Sequence, residues 1–118
     1  MSQSADELRV SAAKTQSLFR EVNERIETLR PSSTNVRFAC ECALSECIEF
    51  VDITPEEYGS VRQHPDRFFV RPGHANLEVE EVVESDSRYD IVRKLGVGAD
   101  LAAQLDPRGK RRADGGAT

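Results

Sequence analysis

From Leu8 onward the apolar residues Ala12, Phe19, Val22, Ile26 and Leu29 follow at steps that alternate four and three, with Thr15 filling the single gap. That period draws one stripe along a helix. Ser4-Ala5-Asp6-Glu7 has the spacing of a capping box and Pro31 supplies a stop, so the pattern predicts a helix from about Ala5 to Leu29. The stripe can lie on the chain's own sheet or against a second copy of the helix. The flanking positions Arg9, Gln16 and Asn23 on one side, and Ser11, Leu18 and Arg25 on the other, lack the complementary charges of a strong coiled coil. Packing on the chain's own core is therefore the expectation.

Beyond a loop at Pro31-Ser32-Ser33-Thr34-Asn35 the period changes. A strand is expected from Val36 to Cys42, then a tight turn, then a returning strand from Cys47 to Ile53 that puts Ile48, Phe50 and Asp52 on one face. Thr54-Pro55-Glu56-Glu57 is a second capping box with proline at the first helical position, and His64-Pro65 ends that short helix. Phe68-Phe69-Val70 reads as a short strand running into a Pro72-Gly73-His74 turn. The runs Val79 to Glu84 and Tyr89 to Leu95, rich in β-branched residues, read as a hairpin around Ser85-Asp86-Ser87. Gly96 and Gly98 break that run, and Ala99 to Leu105 has room for a last helical turn or two before Asp106-Pro107. The order predicts an α+β fold in which a long N-terminal helix packs on small antiparallel β-hairpins. One domain is expected over residues 1–106, followed by a disordered basic tail over 107–118.

A chain of 118 residues, 38% hydrophobic, 31% charged and without tryptophan, has a modest core that a metal staple would reinforce. Its net charge of −5 is unevenly spread: the last twelve residues set Arg108, Lys110, Arg111 and Arg112 against Asp114, which is +3 and leaves −8 for the rest. An acidic body repels phosphate backbones, so nucleic acid is a disfavoured partner and a solvated terminus is the simpler account of the tail. No basic, apolar leader and no bilayer-length apolar stretch is present, which leads to the expectation of a soluble, cytoplasmic protein with no membrane contact.

All three cysteines fall within Cys40-Glu41-Cys42-Ala43-Leu44-Ser45-Glu46-Cys47. An odd, clustered set suits neither a secreted disulfide framework nor a four-cysteine iron–sulfur cluster, and Cys-x-x-Cys redox spacing is absent. Residues two apart on a strand share a face, so Cys40 and Cys42 can reach one ion. A turn then returns Cys47 beside them, and three soft thiolates meet at about 2.3 Å from a zinc. His74 is the first candidate for the fourth ligand, because Gly73 lets the backbone approach closely. His64 is the second; Glu41, Glu46, water or a partner molecule complete the alternatives. The predicted metal site is Cys40, Cys42, Cys47 and His74 around zinc, with all four positions filled as in structural sites. Inert buried thiols and thiol redox chemistry are the competing readings.

Other patterns carry less. Ser11-Ala12-Ala13-Lys14 lacks the partner motifs of serine acyl-transfer enzymes, and Gly96-Val97-Gly98 lacks the third glycine of a dinucleotide loop. The signatures of zinc deaminases and of His-Glu-x-x-His metalloproteases are missing. Arg62, Arg67 and Arg71, near Tyr58 and His74, can form a small basic patch for a phosphate or carboxylate, though pairing with the abundant acids is the simpler expectation.

Taken together, Phe19-Arg20-Glu21-Val22-Asn23-Glu24-Arg25-Ile26, the unit from Phe38 to Cys47, Glu57-Tyr58, Val61-Arg62, Arg67-Phe68, Pro72-Gly73-His74 and Arg88-Tyr89 resemble a family of small, uncharacterised actinobacterial proteins. The resemblance covers about residues 18 to 95. It implies that Cys40, Cys42, Cys47 and His74 belong to one recurring set, and it carries over no catalytic role. With no paired acid and base and no activated nucleophile in view, the reading is a zinc-binding structural or regulatory module rather than an enzyme. Its expected partner is another protein, or a second copy met through the N-terminal helix. The alternatives are a thiol-based redox sensor or enzyme, and a nucleic-acid-binding accessory protein that uses the basic tail.

Overall fold

The computed structural model describes residues 4–29 and 36–109. The first helix, α1, spans Ala5–Leu29, as its period and cap predict, and the Ser4 hydroxyl accepts the N–H of Glu7. The loop expected at Pro31 to Asn35 and the tail from residue 110 lie outside the described residues. Strand β1 (Val36–Ala39) pairs antiparallel with β2 (Phe50–Ile53), Val36 opposite Ile53 and Ala39 opposite Phe50. Helix α2 (Pro55–Arg62) starts on the predicted box in full: the N–H of Glu57 donates to Thr54 Oγ1, and the N–H of Thr54 donates to Glu57 Oε1. β3 (Arg67–Val70), β4 (Glu80–Ser85) and β5 (Asp90–Lys94) form a second antiparallel sheet in the order β3-β5-β4, with a bulge between Val82 and Glu84. A third helix, α3 (Val97–Gln104), lies against α1. The architecture is α+β, a long helix on small antiparallel sheets.

Two boundaries differ from expectation, each for a local reason. The strands of the first hairpin are shorter than Val36 to Cys42 and Cys47 to Ile53, because the chain changes partners after Ala39. Cys40 N–H still reaches the Glu49 carbonyl, but Glu41 N–H turns to the Phe69 carbonyl on β3, so Glu41 joins the two sheets. α3 starts earlier than Ala99, and the glycines that were expected to break structure open it instead. Gly96 takes φ +55°, and a Cβ on Gly98 would stand 3.1 Å from the carbonyl oxygen of Arg9, so only glycine lets α1 come this close. The ordered fold continues past Asp106: Arg108 pairs with Glu24 of α1.

The core is built on aromatic rings. Phe38 and Tyr58 stack with centroids 4.4 Å apart and Phe69 meets both edge-on, among Val51, Ile53, Val61, Phe68 and Val92. The face that α1 buries is Ala12, Ala13, Gln16, Ser17, Arg20 and Asn23. This corrects the expected stripe. Ile26 does pack on the core, but Val22 and Leu29 are exposed, Leu29 at 82%, together with their neighbour Leu18. The helix turns a polar side inward because it covers backbone groups of the sheets that need hydrogen-bond partners, and apolar side chains supply none.

Candidate metal centre

The site begins where β1 stops. Ala39 donates its N–H to Asn23 Oδ1 at 2.8 Å, and Asn23 Nδ2 donates to the Ala39 carbonyl at 2.9 Å, so one side-chain amide stands in for the next strand. Asn23 Nδ2 also reaches Glu41 Oε2 at 2.8 Å, while Gln16 Nε2 donates to the Glu41 carbonyl at 2.9 Å. The N–H of Phe69 donates to Glu41 Oε1 at 3.3 Å. The residue before Cys40 and the residue between Cys40 and Cys42 are thus both held, and the two cysteines they present are buried. Complete burial pushes the Glu41 carboxyl up to about 7, against the hydrogen bond from Asn23 and the charges of Arg62 and Arg20.

The other two ligands come from turns that hold themselves. Cys47 N–H donates to the Leu44 carbonyl at 3.0 Å, and His74 N–H to the Arg71 carbonyl at 2.9 Å, with Gly73 at φ +83° between them in the second turn. His74 Nδ1 then lies 3.6 Å from Cys40 Sγ and 3.8 Å from Cys47 Sγ, and the ligand atoms of Cys40, Cys42, Cys47 and His74 all fall within 4.8 Å of one another. A sulfur at about 2.3 Å and a nitrogen at about 2.0 Å on one tetrahedral zinc would stand ~3.6 Å apart. The donor set therefore fits a tetrahedral, thiophilic ion. The N–H of Arg71 donates to Cys40 Sγ at 3.2 Å, a bond that favours a ligating thiolate and orients it. A hydrogen bond from Cys40 holds the Cys42 thiol below its ordinary range, and the same bond, with burial, pushes Cys40 up. One sulfur of the pair carries negative charge first, and a metal ion bound here would replace the protons they share.

The structure brings together all four residues of the predicted metal site. His64, the second candidate, is exposed beyond the end of α2, and Glu41 turns its carboxylate to Asn23 and Phe69 rather than to the sulfurs. Glu46 is exposed and accepts from Ser45. Sequence reasoning missed the supports Gln16 and Asn23, which it treated as flanks of the apolar stripe, and Arg20 between them, which it passed over and which binds the carbonyls of Pro65 and Ala102. Their own spacing of four and three was the available signal, a polar stripe on one side of the helix.

The fold and site define a class: a small α+β domain with a cluster of three cysteines and one histidine that can hold a metal ion. No family model, curated protein or solved structure matches the chain. Among the described residues no helix is long and apolar enough to cross a membrane.

Proposed function

We propose that the chain is a zinc-stabilised binding module whose metal is structural. The convergence of four ligand atoms within 4.8 Å, two of them from the buried core, supports the reading most directly. Three thiolates and an imidazole select zinc over harder ions, and with every tetrahedral position taken by protein no place is left for a reacting water. The resemblance to the actinobacterial family belongs to the same proposal, since it expects these four residues to recur as a set. The exposed side of α1, with Leu18, Val22 and Leu29, offers the apolar area that a protein partner or a second copy would cover.

Elemental analysis of the purified chain, joined to a chelator titration, tests the metal. One zinc per chain and a lower melting temperature after its removal are expected. Absence of stoichiometric zinc, or a melting curve unmoved by chelation, overturns the reading. For the partner surface, Leu18→Glu with Val22→Glu should abolish co-sedimentation with a second copy or a bound protein while zinc content stays unchanged. Association that survives both changes removes α1 from the interface.

A further inference from the structure

The three sulfurs of the candidate metal centre differ in what can reach them. Cys40 and Cys42 are each 1% exposed, whereas Cys47 is half-buried and stands among the exposed residues Leu44, Ser45, Glu46 and Ile48. A small oxidant arriving from solvent therefore meets the Cys47 sulfur before either of the others. The turn that carries Cys47 is also the less tied of the two. Among the described residues the hydrogen bonds of 44–46 are local: the Leu44 carbonyl accepts the Cys47 N–H at 3.0 Å and the Cys42 thiol at 3.9 Å, and Ser45 donates to Glu46. The 71–74 turn, by contrast, donates to Cys40 Sγ and to Asp90.

Of the two buried sulfurs, that of Cys42 is the one placed to meet Cys47. The register that sets Ala39 opposite Phe50, and takes the Cys40 N–H to the Glu49 carbonyl, sets Cys42 opposite Cys47 when carried two residues further. Residues opposite one another on antiparallel strands have Cα atoms about 4.5–5.5 Å apart, inside the range that a disulfide spans. The Leu44 carbonyl gathers the same two residues, and their sulfurs already lie within 4.8 Å of each other. Cys40 has Glu49 opposite it instead, and its Sγ already accepts the Arg71 N–H. The backbone between Cys40 and Cys42 is fixed at Glu41 by Gln16 and by β3, so the 44–47 turn is the part free to close the distance to an S–S bond.

We propose that Cys47 is a peroxide-reactive residue, and that its oxidation leads to a Cys42–Cys47 disulfide that opens the centre and releases its metal. This regulation rests on the reading that zinc occupies the site. The Cys47 thiolate attacks one oxygen of hydrogen peroxide, the O–O bond breaks, and hydroxide leaves a sulfenic acid on Cys47. The Cys42 thiolate then attacks the Cys47 sulfur, the S–S bond forms, and a second hydroxide leaves. Two thiolates, one peroxide and two protons become one disulfide and two waters, so the two electrons lost by sulfur reduce the peroxide. Cys40 and His74 are then the ligands that remain, half of a tetrahedral set, and zinc dissociates as they take up protons. A dithiol restores both thiols by exchange.

The test treats the zinc-loaded full chain with hydrogen peroxide, follows zinc release with a chelating dye, and maps the products by mass spectrometry after cleavage at glutamate. Glu41 and Glu46 separate the three cysteines, so each falls on its own peptide and the pairing is read directly. One zinc released per disulfide is expected, with Cys42 joined to Cys47 and zinc binding recovered after a dithiol. Dimedone, which traps sulfenic acids, should label the Cys47 peptide first, and Cys42→Ser should accumulate the adduct that the wild type resolves. Zinc retained through roughly a tenfold excess of peroxide overturns the proposal, as does a disulfide to Cys40 or first labelling at Cys40 or Cys42. Should Cys42→Ser not fold, the wild-type map decides alone. Zinc content before oxidation separates the two claims: stoichiometric zinc that peroxide leaves in place sinks the switch and spares the structural metal, whereas a chain that never holds zinc overturns both.

Discussion

The two halves of the candidate metal centre are held by opposite means. Cys40 and Cys42 lie on a segment whose backbone is gripped from outside, by the amides of Asn23 and Gln16 and by β3 through Glu41, and both are buried. Cys47 and His74 sit half-exposed on turns that each close on one local hydrogen bond. The first pair is positioned by the fold; the second is positioned by its own turns, of which 71–74 is also tied to the frame by Arg71 N–H to Cys40 Sγ and Gly73 N–H to Asp90 Oδ2, and a bound ion would add a further tie to both. The difference teaches where metal energy goes. It would strengthen the joint of residues 44–47 and 71–74 to a frame that α1 already holds.

That asymmetry predicts unequal losses. Structural zinc sites bind with apparent free energies of about 10–16 kcal/mol at neutral pH, so a fault in the held half should be severe. Cys42→Ser is expected to take zinc binding below detection in competition with a chelating dye. His74→Ala leaves three sulfurs and admits water at the fourth position, so it should keep stoichiometric metal at reduced affinity. Equal loss in the two variants would break the comparison.

Next in size is Asn23→Leu, which leaves the N–H and carbonyl of Ala39 and one oxygen of Glu41 without their partner. At about 1–3 kcal/mol for each buried group left unpaired, destabilisation by roughly 3–9 kcal/mol is expected in urea unfolding of the metal-free chain. Because Asn23 positions the segment that bears two ligands, metal affinity should also fall by about 10–100-fold. A loss of stability with unaltered metal affinity would show that the grip of α1 and the metal centre are independent.

The extent of α1, the Thr54 box and the four candidate ligands were legible because each is carried by local grammar: a period, a cap, a cluster of soft donors. The inner face of α1 was not. Periodicity assigns the apolar side to the core, yet what this helix meets is a sheet end at Ala39 and Glu41 whose backbone lacks a next strand, and only Asn23 and Gln16 can satisfy it. The junction at Glu41 is hidden for the same reason, since its partner Phe69 is twenty-eight residues away and nothing near Glu41 announces it. The placement of β3 beside β5 is likewise a non-local choice. Arg67 looked like one member of a paired basic set, and only the positions of the carboxylates show which arginine is left over.

The smallest expected effect separates the metal centre from the rest of the fold. Glu57 ties α2 to the β4–β5 turn by pairing with Arg88 and accepting from Tyr89 at 2.8 Å, and chiefly the Arg88 bond holds its carboxyl down to about 2. A folded value below that of a free carboxylate means the stabilisation is complete above about pH 4.5 and disappears as the pH falls toward 2. In the metal-free chain Glu57→Gln should therefore lower the melting temperature at neutral pH, by less than Asn23→Leu because the pair is partly exposed, and the two curves should merge near pH 2. In the metal-loaded chain acid also drives the ion off as its ligands take up protons, so a second loss should appear at higher pH and be common to both proteins. If that loss instead changed with Glu57→Gln, the β4–β5 turn and the metal centre would have to be coupled, and the frame would extend well beyond the contacts of α1.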